Sequence, residues 1–290
     1  MAVANSARRT NIVRASLLAT VVFATTPIGL SAQQPQNPSP MVEHTRTHPR
    51  LREESPPGRR ETLEVGTLFL PAALKIKATI PLVVHFHGGT WLPELAAARV
   101  GGVAVISMQL GSGSGVYAKP FLDPLLFLRL IAEAEAKAHV TFSPIALTSW
   151  SAGYGAVREI LKVPASYARV ASVLLIDGMH TGYLSGAPDP EGLDTFLQFA
   201  RDAVAGSKRM IVTHSEIFPG TYASTTETAD WLLARLAVAR RVTLKWGPMG
   251  TQQLSEARRG RFLLLGYAGN SAPDHVDQLH SLPEFLKWLK

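Results

Sequence analysis

Ile145-Ala-Leu-Thr-Ser149-Trp150-Ser151-Ala152-Gly153 decides how this chain is read. Its first half is an apolar, β-branched run with the character of a strand. The residues after it, from Ala152 to Leu161, have the composition and apolar spacing of a helix. A strand that passes directly into a helix turns sharply at the junction. A serine at that turn is lifted above the sheet edge, and the residues two before and two after it must be small. Ser149 and Gly153 meet that requirement around Ser151.

Other segments extend the pattern in both directions. Strands are expected at Leu63–Pro71, Ile80–Phe86, Val103–Met108, Ile145–Ser149, Ala171–Ile176, Met210–Thr213 and Phe262–Leu265, with Val242–Trp246 as an additional strand or edge. Between them lie helical segments at Phe121–Ala138, Ala152–Leu161, Leu193–Val204 and Thr225–Ala239, with a closing helix at Leu282–Leu289. Apolar strands alternating with amphipathic helices predict an α/β fold: a mostly parallel central sheet covered on both faces. No large apolar insertion separates Gly178 from Lys208, so no large lid domain is expected.

The Ser151 turn resembles the nucleophile elbow, G-x-S-x-G, of the α/β-hydrolase superfamily, with Ser149 in place of the first glycine. Upstream, Pro81-Leu-Val-Val-His85-Phe-His87-Gly88-Gly89-Thr90-Trp91 resembles the strand and oxyanion loop of secreted serine esterases and lipases of that superfamily. The resemblance covers roughly Glu61 to Lys290. It implies an α/β-hydrolase fold and a Ser-His-Asp mechanism in which Ser151 attacks an ester carbonyl and forms an acyl-enzyme that water releases. The N–H groups of Gly89 and Ala152 would hold the oxyanion, with Thr90 as a rival to Gly89.

In that superfamily the triad runs in the order serine, acid, histidine, each on a loop after a strand. Two histidines lie late enough. His275 belongs to a loop-forming stretch, Gly269-Asn-Ser-Ala-Pro-Asp-His275, whereas His280 adjoins the closing helix and has a capping or packing role open to it; His275 is preferred. For the acid, Asp177 ends the apolar run Val173–Ile176, a costly place for a carboxylate without hydrogen bonds. Glu216, after the next strand, is the alternative. His180 and His214 are expected beside the site. The same chemistry leaves open an acyltransferase or peptidase, and the fold alone leaves open a non-catalytic binding protein.

Composition agrees with one catalytic domain. The chain has 290 residues, 46% of them hydrophobic, and a formal charge of +7. Three of those charges, Arg8, Arg9 and Arg14, fall in Met1–Ala32, which reads as a secretory signal: an Arg-bearing start, an apolar stretch from Ala15 to Leu30, then Ser31-Ala32. The +4 that remains gives no reason to expect a nucleic-acid partner. Residues 33–60, rich in Pro, Gln, Arg and Glu, are expected to be a disordered linker, and 61–290 the catalytic domain. The expected location is secreted or periplasmic, with no stable membrane insertion once the signal is removed; the partner is a small-molecule or polymeric ester. With no cysteine there is no disulfide to support the fold. His85 and His87 share a strand face, but no further ligand lies nearby, so no metal and no organic cofactor are expected. Gly111-Ser-Gly-Ser-Gly115 lacks the Lys-Ser/Thr of a phosphate loop and reads as a flexible loop. Tyr154, Trp91, Tyr117, Tyr183 and Tyr222 are candidate cleft-lining aromatics.

Overall fold

The computed structural model describes residues 50–289. The expected signal segment 1–32, and the expected linker up to residue 49, lie outside the described residues. In chain order the elements are β1 (Gly58–Thr62), β2 (Thr67–Pro71), β3 (Thr79–Phe86), α1 (Trp91–Val100), β4 (Ala104–Met108), α2 (Ser114–Ala118) and α3 (Leu126–Ala138). There follow β5 (Thr141–Trp150), α4 (Tyr154–Lys162), α5 (Pro164–Arg169), β6 (Val170–Ile176), β7 (Tyr183–Leu184), β8 (Ala187–Pro188), α6 (Asp194–Ala205) and β9 (Arg209–His214). The last are α7 (Thr225–Leu236), β10 (Arg241–Trp246), β11 (Gln252–Arg259), β12 (Phe262–Tyr267), α8 (Ala272–His280) and α9 (Leu282–Lys287).

Ten strands form one sheet in the order β1-β2-β4-β3-β5-β6-β9-β12-β11-β10. From β4 to β12 every neighbouring pair is parallel, and both flanks are antiparallel. The parallel centre follows from composition. β3 and β6 are apolar on successive residues, so neither face of these strands tolerates water, and both faces are buried. One face carries Phe86, Leu147, Val173 and Val212 into a core shared with α3, α4, α6 and α7. The other carries Val83, Val105, Leu174 and Ile211 into a core shared with α1, α8 and α9. This layered sheet, with its strand-to-helix elbow after β5, is the α/β-hydrolase fold.

Several local expectations are corrected. Leu63–Pro71 is not one strand, because Gly66 (φ 86°) closes a turn in which Leu63 N–H donates to Gly66 O. The chain before it pairs as β1, which the sequence reading placed largely in the linker. Residues 50–57 also run along the body. Arg50 Nε donates to Asp277 (2.7 Å), and Leu51 N–H donates to His280 Nδ1 (3.1 Å). The folded unit therefore reaches back at least to Arg50, ahead of the expected Glu61. Helix α3 starts at Leu126 rather than Phe121, since Asp123 and Pro124 interrupt the run and the Asp123 carboxylate accepts Leu125 N–H instead (2.9 Å). The strand β11 was missed because Gln252-Gln-Leu-Ser-Glu-Ala-Arg-Arg259 carries charges typical of a helix; only its alternating burial betrays it. The expected closing helix is α9, beginning at Leu282, and a further helix precedes it. A capping box, Ser271 with Asp274, starts α8 well before Leu282.

Between β6 and α6 the chain makes only the short hairpin β7-β8 and a 3₁₀ turn, with no large insertion. Among the described residues no helix is long and apolar enough to cross a membrane.

Phe196 of α6 is fully buried in the core that supports β6 and β9. Truncation there, Phe196→Ala, is expected to cost about 3–5 kcal/mol, read as a lowered urea midpoint with unchanged slope.

Candidate active site

The site is assembled at the carboxyl ends of the parallel strands, where the loops after β3, β5, β6 and β12 meet. Ser151 opens a 3₁₀ turn, Ser151–Gly153, between β5 and α4. Its φ is 47°, in the left-handed region that a non-glycine residue enters only under constraint. Two glycines supply the constraint. A Cβ on Gly153 would lie 2.3 Å from Phe86 O, at the end of β3, and one on Gly178 would lie 2.3 Å from Ser151 O. The elbow is thus wedged between the end of β3 and the loop after β6, and neither neighbour has room to grow. Ser149, the substitute for a glycine, is fully buried at the end of β5.

His87 (φ 73°) and Asp177 (φ 44°) are also in positive φ, and the three lie on adjoining loops. Such strain concentrates where a structure fixes side chains for a purpose.

Asp177 is 2% exposed and its carboxylate accepts four hydrogen bonds. The donors are Ser215 N–H (2.8 Å), Ser215 Oγ (2.7 Å), Thr225 Oγ1 (2.9 Å) and His275 Nδ1 (2.6 Å). Burial alone would push the carboxyl up. The electrostatic attraction of the His275 ring and the bonds from His275 and Ser215 outweigh it, and hold the group well below the usual carboxylate range. Asp177 is therefore an anion, and a lone-pair inventory of about four sites is filled. Ser215 and Thr225 were not singled out from sequence. Thr225 belongs to a legible helix start, Ser224-Thr-Thr-Glu227 with both capping-box bonds formed, but nothing in that pattern says where its hydroxyl points.

His275 sits in the first turns of α8, not in a loop as expected, and its Nδ1 faces Asp177. The preceding residue of the elbow, Trp150, holds it from the other side. Trp150 Nε1 donates to His275 O (3.0 Å), and the two rings lie 4.6 Å apart. Trp150 also stacks on His87 (5.0 Å, 11°), whose Nδ1 shares a hydrogen bond with Tyr117 OH (2.8 Å). Burial first, then the nearby His275 charge, lowers the His87 pKa, so this ring is a neutral support. Trp150 is the third contributor that sequence reasoning missed: it was the variable residue of the motif. Trp150, next to Ser151 in the chain, thus ties the elbow to His275, and Ser151 Oγ makes no hydrogen bond among the described residues. Apo sites of this chemistry often hold that bond long until substrate arrives.

The remaining candidates separate cleanly. Glu216 is exposed and only its backbone N–H bonds, to Gly269 O (2.8 Å). His280 ends α8 and accepts from Leu51 N–H, a packing role. His214 is buried, and its Nε2 faces Arg240 (2.8 Å); burial and that guanidinium lower its pKa. His180 bonds Ala223 O (2.9 Å) and lies between Tyr154 and Tyr222. Tyr117 is fully buried and so lines no cleft. The loop 111–115 is partly helical, since Ser114 begins α2.

Gly89 N–H has no acceptor among the described residues, while the Gly88 N–H is taken by Gln109 Oε1 (2.9 Å). Ala152 N–H lies at a helix start, where such groups lack an intrahelical acceptor. Thr90, the rival, is the N-cap of α1. His85 and His87 do not form a joint metal site. Both ring nitrogens of His85 are engaged, by Thr148 Oγ1 (2.8 Å) and His87 O (2.9 Å).

No protein-family model and no curated protein sequence matches the chain. Among solved structures it is similar to an acetyl xylan esterase from Aspergillus awamori (14% identity, TM-score 0.45, covering 82% of this chain and 98% of that one). It is also similar to a cold-adapted esterase from an Arctic intertidal metagenomic library (16% identity, TM-score 0.43, 83% and 98%) and to a protein named DphMB1 (18% identity, TM-score 0.45, 84% and 90%). The fold assignment itself rests on the strand order and the elbow.

Two expectations follow from the geometry. Asp177→Asn and His275→Ala should each lower kcat/KM on an ester by about a thousandfold or more, while Glu216→Gln and His280→Ala keep most of it; steady-state kinetics on folded variants decide. The second concerns His85, fully buried, whose pKa burial lowers from 6.5 to about 4. Between those values the unfolded chain binds the extra proton, so stability rises with pH across the window, complete above 6.5 and lost by about 4. Urea midpoints at pH 7 and pH 5 (about neutral and about mid-window) should differ in the wild type, and the difference should shrink in His85→Gln.

Proposed function

We propose that the chain is a secreted serine hydrolase that cleaves carboxylic esters through Ser151, His275 and Asp177. The observation that carries this reading is the 2.6 Å bond from His275 Nδ1 to the buried Asp177, made beside a serine held at φ 47°. The roles follow from chemistry. His275, with Nδ1–H committed to Asp177, presents Nε2 as the base that takes the Ser151 proton as Oγ attacks the acyl carbon. The tetrahedral intermediate carries its charge on one oxygen, for which Gly89 and Ala152 N–H are the donors. Collapse expels the alcohol, which receives the proton from His275, and leaves the acyl group on Ser151. Water, deprotonated by the same imidazole, then releases the acid. Asp177 stays ionised throughout and stabilises the imidazolium. No step requires a metal or an organic cofactor.

The substrate is a small or polymeric ester. The +4 charge outside the signal favours no nucleic acid. Export is read from the Met1–Ala32 pattern and makes the proposed location secreted or periplasmic, without stable membrane insertion once the signal is removed.

A fluorophosphonate should label the purified protein on Ser151, and Ser151→Ala should abolish both labelling and turnover of short acyl esters. Full activity in the alanine variant removes the nucleophile, and a folded protein that resists the probe favours a binding role. Protein recovered from a secreting host should begin near Gln33 by intact mass; an intact 1–32 segment in membranes contradicts export with cleavage.

A further inference from the structure

Three residues stand side by side on neighbouring strands where β9 ends: His214 of β9, Gly266 of β12 and Ser255 of β11. His214 alternates with Val212 and so shares the sheet face packed by α6 and α7. The middle position is bare. A Cβ on Gly266 would lie 2.4 Å from Ser255 Oγ and 2.8 Å from His214 Nε2, so glycine leaves the gap in which the buried His214 ring and the Ser255 hydroxyl converge. Arg240, on the connection between α7 and β10, closes this cluster. Its Nη1 donates to His214 Nε2 (2.8 Å) and to Ser255 Oγ (2.8 Å), while its Nε and Nη2 donate to Asp230 of α7 (3.1 and 2.6 Å).

The donors decide where the imidazole proton lies. A guanidinium donates only and keeps its charge, so Nε2 of His214 is the bare nitrogen and Nδ1 carries the proton. Burial first, then the Arg240 charge, discourages a second proton on the ring. Nδ1 faces Ser215 O (3.1 Å) and Thr226 Oγ1 (3.2 Å), and the Thr226 hydroxyl donates to the same Ser215 O (2.9 Å). The Nδ1 proton therefore bridges two dipeptides, His214-Ser215 after β9 and Thr225-Thr226 at the start of α7. With the other tautomer a lone pair on Nδ1 would face the Ser215 carbonyl oxygen, and the bridge would become a repulsion. The same two dipeptides supply Ser215 N–H, Ser215 Oγ and Thr225 Oγ1, three of the four donors to Asp177.

We infer that Arg240 and His214 are positioning residues for Asp177: Arg240 fixes the His214 proton on Nδ1, and that proton holds Ser215 to the start of α7 so that both dipeptides point their donors at the carboxylate. The inference rests on the ester-hydrolase reading, in which Asp177 orients His275. Arg240 lies 26 positions after His214 in the chain and contacts neither Ser151, Asp177 nor His275 among the described residues. Its effect on turnover passes through the geometry of Asp177, so it falls on kcat rather than on substrate binding.

The test measures kcat and KM of the full protein on p-nitrophenyl butyrate, with active enzyme counted by fluorophosphonate titration of Ser151 and folding checked by circular dichroism. Arg240→Met keeps an unbranched apolar side chain and removes every donor. It should lower kcat about tenfold, the worth of one hydrogen bond lost, with KM changed less than about twofold. His214→Asn puts an amide N–H in place of Nδ1–H and has no tautomer to fix, so it should retain at least about threefold more kcat than His214→Leu. In the His214→Asn background, Arg240→Met should cost less than about twofold, because its effect passes through the ring. The low-field proton resonance of His275 Nδ1–H, from the 2.6 Å bond to Asp177, should shift or broaden in Arg240→Met. Unchanged kcat per titrated serine in Arg240→Met, even with less folded protein, makes the cluster structural only and overturns the proposal. So does a double-variant loss equal to the product of the single losses. If His214→Leu does not fold, Arg240→Met in the wild-type and His214→Asn backgrounds decides alone. Asp177→Asn separates the two levels of failure. If it keeps wild-type kcat, the role of Asp177 falls and this inference with it; if it is crippled while Arg240→Met is unaffected, only this inference falls.

Discussion

The backbone of Ser151 is the constraint on which the site depends. An L-residue at φ 47° costs about 1–2 kcal/mol, and the cost persists only because the surroundings leave no alternative. Gly153 has the end of β3 against it and Gly178 has the Ser151 backbone against it. The order of the strands is what puts these neighbours there: β3 and β6 are the two strands hydrogen-bonded to β5. Swapping either neighbour for another strand would move the wall that holds the turn. Fold and site are in this sense one object, and the two hydrophobic layers on either face of the sheet supply the energy that maintains it.

A second constraint is the buried negative charge of Asp177. A carboxylate at 2% exposure is sustainable only with its lone pairs filled, and removal of one donor leaves a penalty of about 1–3 kcal/mol. The donors come from three directions: the loop after β9 supplies Ser215, the start of α7 supplies Thr225, and α8 supplies His275. That arrangement ties the last helices to the centre of the sheet. Trp150 closes the circuit, since its indole N–H holds the backbone of His275 while its ring contacts the His275 and His87 rings. The imidazole thus has little orientational freedom even without substrate.

Much of this was legible in the sequence because its signals are local. The apolar runs that became β3, β5 and β6 need burial on both faces, and a serine between small residues at a strand-to-helix junction has one simple conformation. Asp177 announced itself by ending an apolar run. What failed was of two kinds. The boundaries of β2 and α3 were decided by Gly66 and by Asp123 with Pro124, single residues inside otherwise convincing runs. The missed partners, Ser215, Thr225 and Trp150, act through contacts 38, 48 and 125 positions apart in the chain, and no periodicity encodes them. Likewise Arg50 and Leu51 look like linker by composition, and only the folded α8 shows what they bind. The charged strand β11 is stabilised by its neighbours rather than by its own propensity.

The most direct measurement of the central claim is a crystal structure of the protein after reaction with a fluorophosphonate. The account predicts continuous density from Ser151 Oγ to phosphorus, the phosphoryl oxygen within hydrogen-bond distance of both Gly89 and Ala152 N–H, and His275 still bonded to Asp177. Phosphorus on another residue, or a phosphoryl oxygen held by neither amide with His275 turned away from Asp177, would contradict it.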